Sequence, residues 1–338
     1  MTTQSIDRLN IGLMLGSCLL AFVIPFQLFL FSYAVLGPLH YFTEIPWLRG
    51  KGFFTTSKPD YILLIALVVA IGVLHFSSTP SDDPHAILTL IGCLGFVAFF
   101  GALALATIRS PWQKVIAVAA IAASALLFSK LDAFGMIFAN LVPSIVHVYI
   151  FTGCFVLYGA LRNRSAAGIA SLGVFALCTI AIFAIAPEPT SQASLSPYVR
   201  NNYFFFAGLN FDLLNIFGMH KTAPDTQGLP QVLFESSVGI IVMRLIAFSY
   251  TYHFLNWFSK TSIIKWHLIP KRGLGIIALL WVTSLALYAY DFYIALQVLY
   301  MLSLLHVFLE FPLNQRTFIG IGYELGKLVR RPELDTAK

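Results

Sequence analysis

The sequence predicts an all-α polytopic membrane protein, a single transmembrane helical bundle of about nine spans over residues 1–338. Three observations support this. The chain is 58% hydrophobic and only 11% charged, too few polar side chains to cover soluble domains of this length. Its mean hydropathy is +0.82, which excludes a disordered chain, a collagen, a secreted disulfide scaffold and a soluble enzyme. The apolar residues also fall into runs of about 20, the length a helix needs to cross a bilayer.

In chain order the runs are 11–36, 60–78, 86–107, 113–130, 133–161, 166–186, 231–258, 273–290 and 292–312. The opening MTTQSIDRLN has no basic n-region, so the first run is expected to remain as a span. Basic residues cluster in alternate loops: Arg49, Lys51 and Lys58; Arg109 and Lys114; Arg162 and Arg164; Lys260, Lys265, Lys271 and Arg272; then Arg316, Lys327, Arg330 and Arg331 in the tail. By the positive-inside rule these loops are cytoplasmic, which puts the N-terminus outside and the C-terminus in the cytoplasm. The net charge of +6 reads as membrane anchoring with no nucleic-acid partner. Small loops suit a bacterial inner membrane. The long connection, 187–230, reads as an extracytoplasmic loop whose aromatic stretch 203–217 lies at the interface. Cys18, Cys93, Cys154 and Cys178 stand singly in apolar runs and read as core residues.

Ionisable groups inside spans are costly, so each is a candidate for function. GPLHYFTEIPWL carries His40 and Glu44, and LLHVFLEFPLN carries His306 and Glu310. In each, a His and an acid four residues apart share one helix face, one turn apart. His253, with Asn256 on the same side, lies near the end of the seventh run. Counting back from the nearest basic residues at the helical rise places His40, His253 and His306 at one depth, about 10 to 15 Å from the cytoplasmic side. His147 counts to about 22 Å and either joins them through a bend at Pro143 or lies beyond. Imidazole and carboxylate on inward faces is how helical bundles hold metal ions, and this donor set favours iron, with zinc, manganese or copper also compatible. The expected ligands are His40, Glu44, His147, His253, His306 and Glu310.

Arg244, near mid-span, is expected to meet a substrate headgroup in a cavity opening toward the outer leaflet, or else Asp132, Glu235 or Asp291. With Asn256 it forms the expected substrate contacts. His75, His85, His220 and His267 read as solvated or interfacial. HExxH, Walker A, GxSxG and dinucleotide fingerprints are absent.

Through GPLHYFTE, SYTYHF and LLHVFLE the chain resembles, in general plan, the integral-membrane non-haem iron oxygenases: lipid desaturases, hydroxylases and Brp/Blh-type carotene cleavage enzymes. The HxxxH and HxxHH boxes of the desaturases and hydroxylases are not present, and no catalytic residue is carried over. The leading expectation is a membrane-embedded, iron-dependent oxidoreductase acting on a hydrophobic, lipid-like substrate, with a redox partner supplying electrons. Three other classes stay open: a transporter or proton-coupled channel using the buried His, Glu and Arg, an electron-transfer subunit with haem between His147 and His253, and a structural or assembly subunit.

Overall fold

The computed structural model describes residues 3–52, 57, 60–79, 82–187, 195–219, 228–260, 265 and 268–330. Lys58, His220, His267, Arg331 and parts of the 187–230 connection lie outside the described residues. Those described are helical throughout, apart from short turns: α1 (Thr3–Val23), α2 (Pro25–Phe31), a π-helical turn (Ser32–Leu36), α3 (Gly37–Gly50), α4 (Asp60–Ser77), α5 (Pro84–Thr107), α6 (Pro111–Phe128), a π-helical segment (Met136–Phe151), α7 (Thr152–Asn163), α8 (Ala166–Ala184), α9 (Pro197–Tyr203), a 3₁₀ turn (Phe204–Phe206), α10 (Ala207–Ile216), α11 (Leu229–Phe234), α12 (Ser237–Ser259), α13 (Lys271–Tyr290) and α14 (Phe292–Arg330). Prolines open α2, α5, α6 and α9, where the missing N–H costs nothing. Asp83, Ser165, Ser196 and Ser236 cap α5, α8, α9 and α12 by accepting a backbone N–H in the first turn.

Nine of the described helices are long and apolar enough to cross a membrane. They match the expected runs, with one correction. The run 11–36 is not a single span: the residue before a proline is pushed out of the α region, and Ile24 (φ −138°, ψ 53°) ends α1 ahead of Pro25. From Pro25 to Gly50 the chain then runs as one helical rod of 26 residues, about 35 to 39 Å long, enough for a further traverse.

Among the described residues, α1 begins and α14 ends at the same end of the bundle. At the start of α1, Ser165 Oγ donates to Asp7 Oδ2 (2.6 Å) and Ser259 Oγ to Asn10 Oδ1 (3.1 Å). At its other end the Arg244 guanidinium lies over the Phe22 ring, 4.4 Å from its centroid. The rod Pro25–Gly50 returns to the first end, where Leu48 packs with Leu64, Leu105 and Leu309. The tail of α14 reaches that end beside α7, with Gly320 against Tyr158. Arg8, Arg49, Arg164, Lys260 and Lys327 all gather there, and we call it the basic end.

α12 is the axis. Its side chains are buried on every face from Gly239 to Phe254, because α1, α2, α3, α8 and the π-helical segment surround it. The π-helical segment is held on its other side by α5, where a Cβ at Gly95 would come within 2.6 Å of Phe138 O and one at Gly92 within 2.9 Å of Gly135 Cα. Only small residues permit such approach of backbones in a membrane bundle. At the far end α9 and α10 pack into the mouth of the bundle, with Tyr203 and Leu214 fully buried and Asn140 Nδ2 donating to Asp212 Oδ2 at 2.7 Å.

Cysteines introduced one at a time as Gln4→Cys and Lys327→Cys are expected to react with an impermeant thiol reagent from the same side of sealed, oriented vesicles. Labelling from opposite sides contradicts the even number of crossings.

Candidate metal centre

Four elements each deliver one histidine. In α3, His40 and Glu44 share a face, and the preceding π-helical turn is tied to α12 by the Ser32 Oγ to Thr251 Oγ1 hydrogen bond of 2.7 Å. α12 supplies His253 and α14 supplies His306, with Glu310 one turn on. His147 comes from the π-helical segment, which contains Pro143. A proline lacks the N–H and clashes with the carbonyl four residues back, and the wider π turn accommodates it; π segments recur at functional sites for such reasons.

The imidazoles close into a ring. Centroids are 4.8 Å apart for His40 and His253, 4.8 Å for His253 and His147, 5.2 Å for His147 and His306, and 5.2 Å for His306 and His40. Each residue offers one nitrogen, and the four nitrogens lie within 4.8 Å of one another. All four side chains are buried. This set can hold a metal ion. His147 belongs to the ring, which settles the alternative that its depth left open.

The acids sit beside opposite members of the ring. Glu44 Oε2 is 2.9 Å from His40 Nε2, and Glu310 Oε2 is 3.4 Å from His147 Nδ1. Neither contact has hydrogen-bond alignment: both carboxylate oxygens lack a partner, as do both nitrogens of His147, Nε2 of His306 and Nδ1 of His40. So many orphaned polar atoms in one place are rare, because each carries a full desolvation penalty. A divalent cation would relieve much of the set in one step: one nitrogen of each imidazole would gain a ligand bond, and the two carboxylates would balance its charge.

His253 is held from behind. Its Nδ1 is hydrogen-bonded to Thr152 Oγ1 at 2.8 Å, and its Nε2 faces His40 Nε2 at 3.3 Å. When Nδ1–H donates to the hydroxyl oxygen, the Nε2 lone pair is left pointing into the ring, the usual way an outer partner sets the tautomer of a ligating histidine. Thr152 is fully buried and was not expected from the sequence. Asn314 was also missed: it lies one turn beyond Glu310 on the same face and has both side-chain polar atoms unpartnered.

Asn256 is one turn inward of His253, buried, with Oδ1 unpartnered. Arg244 stands apart. Its Nη1 donates to Ile185 O at 2.8 Å and its guanidinium rests on Phe22. Among the described residues it forms no ion pair with Asp132, Glu235 or Asp291, and the cavity beside the ring is not lined by it. His75 and His85 are exposed at the far end.

That cavity lies on the far-end side of the ring, lined by Tyr33, Tyr41, Tyr250, Tyr288, His147 and His306 among others. Three of these hydroxyl residues were findable. Tyr250 and Ser303 lie three residues before His253 and His306, and Tyr33 seven before His40, the same faces one or two turns outward. Rings of Phe29 and Phe206 close over Tyr33 and Tyr250 at 4.8 to 5.7 Å.

Thr152→Val should weaken metal affinity about 10- to 100-fold, as loss of an outer partner of a ligating histidine does, while Thr152→Ser keeps most of it. Chelator competition on the purified variants measures this, and a Val variant that binds as tightly as the parent removes Thr152 from the site.

Comparison of the chain with protein-family models, with curated proteins and with solved structures gives no match.

Proposed function

We propose that this chain is a membrane-embedded, iron-dependent oxidoreductase of the bacterial inner membrane, acting on a hydrophobic substrate drawn from the bilayer. The observation that supports it most is the closed ring of four buried imidazoles flanked by two buried carboxylates. His40, His147, His253 and His306 would hold the ion, and Glu44 and Glu310 would balance its charge or complete its ligand set. Nitrogen and carboxylate donors of this kind suit iron. Bound iron would supply one-electron redox chemistry with dioxygen as the oxidant.

The chain's own residues do the remaining work. Thr152 fixes one imidazole, the apolar helices exclude water from the ring, and the aromatic cap of Phe29 and Phe206 separates it from the far end. A hydroxylation in such a site converts substrate, dioxygen, two electrons and two protons to alcohol and water, so it calls for a redox partner. The basic end, expected to be cytoplasmic, is the side on which such a partner docks. A lipid-like substrate has to part the aromatic cap, since the space now open beside the ring is far smaller than a chain.

The haem alternative fits poorly. His147 and His253 have ring centroids 4.8 Å apart, and His40 and His306 fill the remaining sides, so no slot is left for a porphyrin. A proton-coupled transporter has one observation in its favour: Glu44, Glu310, Asn256 and Asn314, all buried with unpartnered atoms, line up between the ring and the basic end.

Elemental analysis of detergent-purified protein decides between these readings. About one or two irons per chain without a Soret band is expected, with the iron lost from His40→Ala and His253→Ala. Glu44→Gln and Glu310→Gln should lower affinity by at least about tenfold. Metal-free wild-type protein contradicts the metal reading, and zinc alone contradicts the redox one.

A further inference from the structure

The cavity against the histidine ring has a size, a position and a lining that together specify an occupant. We propose that it is the pocket for a neutral diatomic ligand, dioxygen on the reading above, on which this inference rests.

Size comes first. The space open to the centre of a water molecule is about 30 Å³, and a single water needs about 10 to 15 Å³ on this measure. With the aromatic cap closed, room for two or three water-sized atoms is too small for an organic substrate, whose pockets run to about 300 Å³ or more, and matches a diatomic molecule.

Position comes second. Of the four imidazoles, His147 and His306 line the cavity, and both have Nε2 without a hydrogen-bond partner while being almost completely buried. On the other side, toward the basic end, Glu44 and Glu310 crowd the ring. An ion held by the four nitrogens thus has its acids on one side and an open space on the other.

The lining is the third observation. The hydroxyl-bearing Tyr33, Tyr41, Tyr250, Tyr288 and Ser303 are among its lining residues, with the apolar Val148 and Val307. Among the described residues, no Lys, Arg, Asp or Glu lines it. The wall adds no charge to that of the bound ion and its two carboxylates, and hydroxyl donors can bond the outer atom of a small neutral ligand. The same neutrality lets dioxygen or nitric oxide reach the pocket through the bilayer and the packed helices, a route closed to ions.

Nitric oxide titrated anaerobically into the iron(II)-loaded protein, followed by electron paramagnetic resonance, tests the assignment. Wild type should bind it. Val307→Phe and Ser303→Leu, which fill the cavity, should bind it at least about tenfold more weakly with iron content unchanged. Tyr250→Phe deletes one hydroxyl without changing the fold and should weaken binding about two- to tenfold, the worth of one hydrogen bond. Unchanged affinity in the Tyr250→Phe protein and in whichever filled variant retains its iron overturns the pocket assignment and leaves the metal centre standing. Wild-type protein that takes up no iron overturns the proposed function itself, and this pocket with it.

Discussion

Four imidazoles and two carboxylates are buried together among helices apolar enough to span a bilayer, and the rest of the structure is arranged around that constraint. Each unpartnered polar atom at this depth destabilises the fold, yet the chain brings five side chains with such atoms, His40, Glu44, His147, His306 and Glu310, together within about one helical turn on three separate elements. A cation would partner one nitrogen of each imidazole and balance both carboxylates at once. The helices that carry them are correspondingly the best fixed. α12 is enclosed on all sides, the π-helical segment is clamped to α5 through Gly92, Gly95 and Gly135, and α3 is tied to α12 by Ser32 and Thr251 and by Trp257 Nε1 donating to Thr43 Oγ1 at 3.0 Å.

The ring also divides the bundle into two unlike halves. Toward the basic end lie acids, amides and Lys260, whose pKa is lowered chiefly by burial although Glu310 and Glu44 oppose that shift. Toward the far end lie tyrosines, valines and an aromatic cap. On the proposed function, charge would be delivered from the first side and neutral molecules from the second: electrons and protons on one face, oxidant and apolar substrate on the other. Arg244 plays no part in this division. Its contacts with Ile185 and Phe22 join α1, α8 and α12 near the far end.

Much of this was legible in the sequence, for reasons that can be named. His40, Glu44, His253, His306 and Glu310 lie on regular α-helix, so a fixed rise and a 3.6-residue turn gave both their depth and their common face. His147 could not be placed the same way, because the π-helical segment 136–151 changes rise and rotation per residue and nothing but Pro143 hinted at it. The helix break at Pro25 was hidden by hydrophobicity that continues across it. The traverse from Pro25 to Gly50 was hidden by the opposite effect: Ser32, His40 and Glu44, the residues that matter, dilute its apolar character until it no longer reads as a span. Thr152 belongs to the site through a partner 101 residues away, which no local pattern records.

The central claim is that four histidine nitrogens share one ion. X-ray absorption at the iron edge of the purified protein addresses it directly. The account predicts a first shell dominated by imidazole nitrogen near 2 Å, about the usual metal–imidazole distance, with the outer-shell scattering of several histidine rings and no sulfur. A shell of oxygen alone, a sulfur contribution, or fewer than three imidazoles would contradict it.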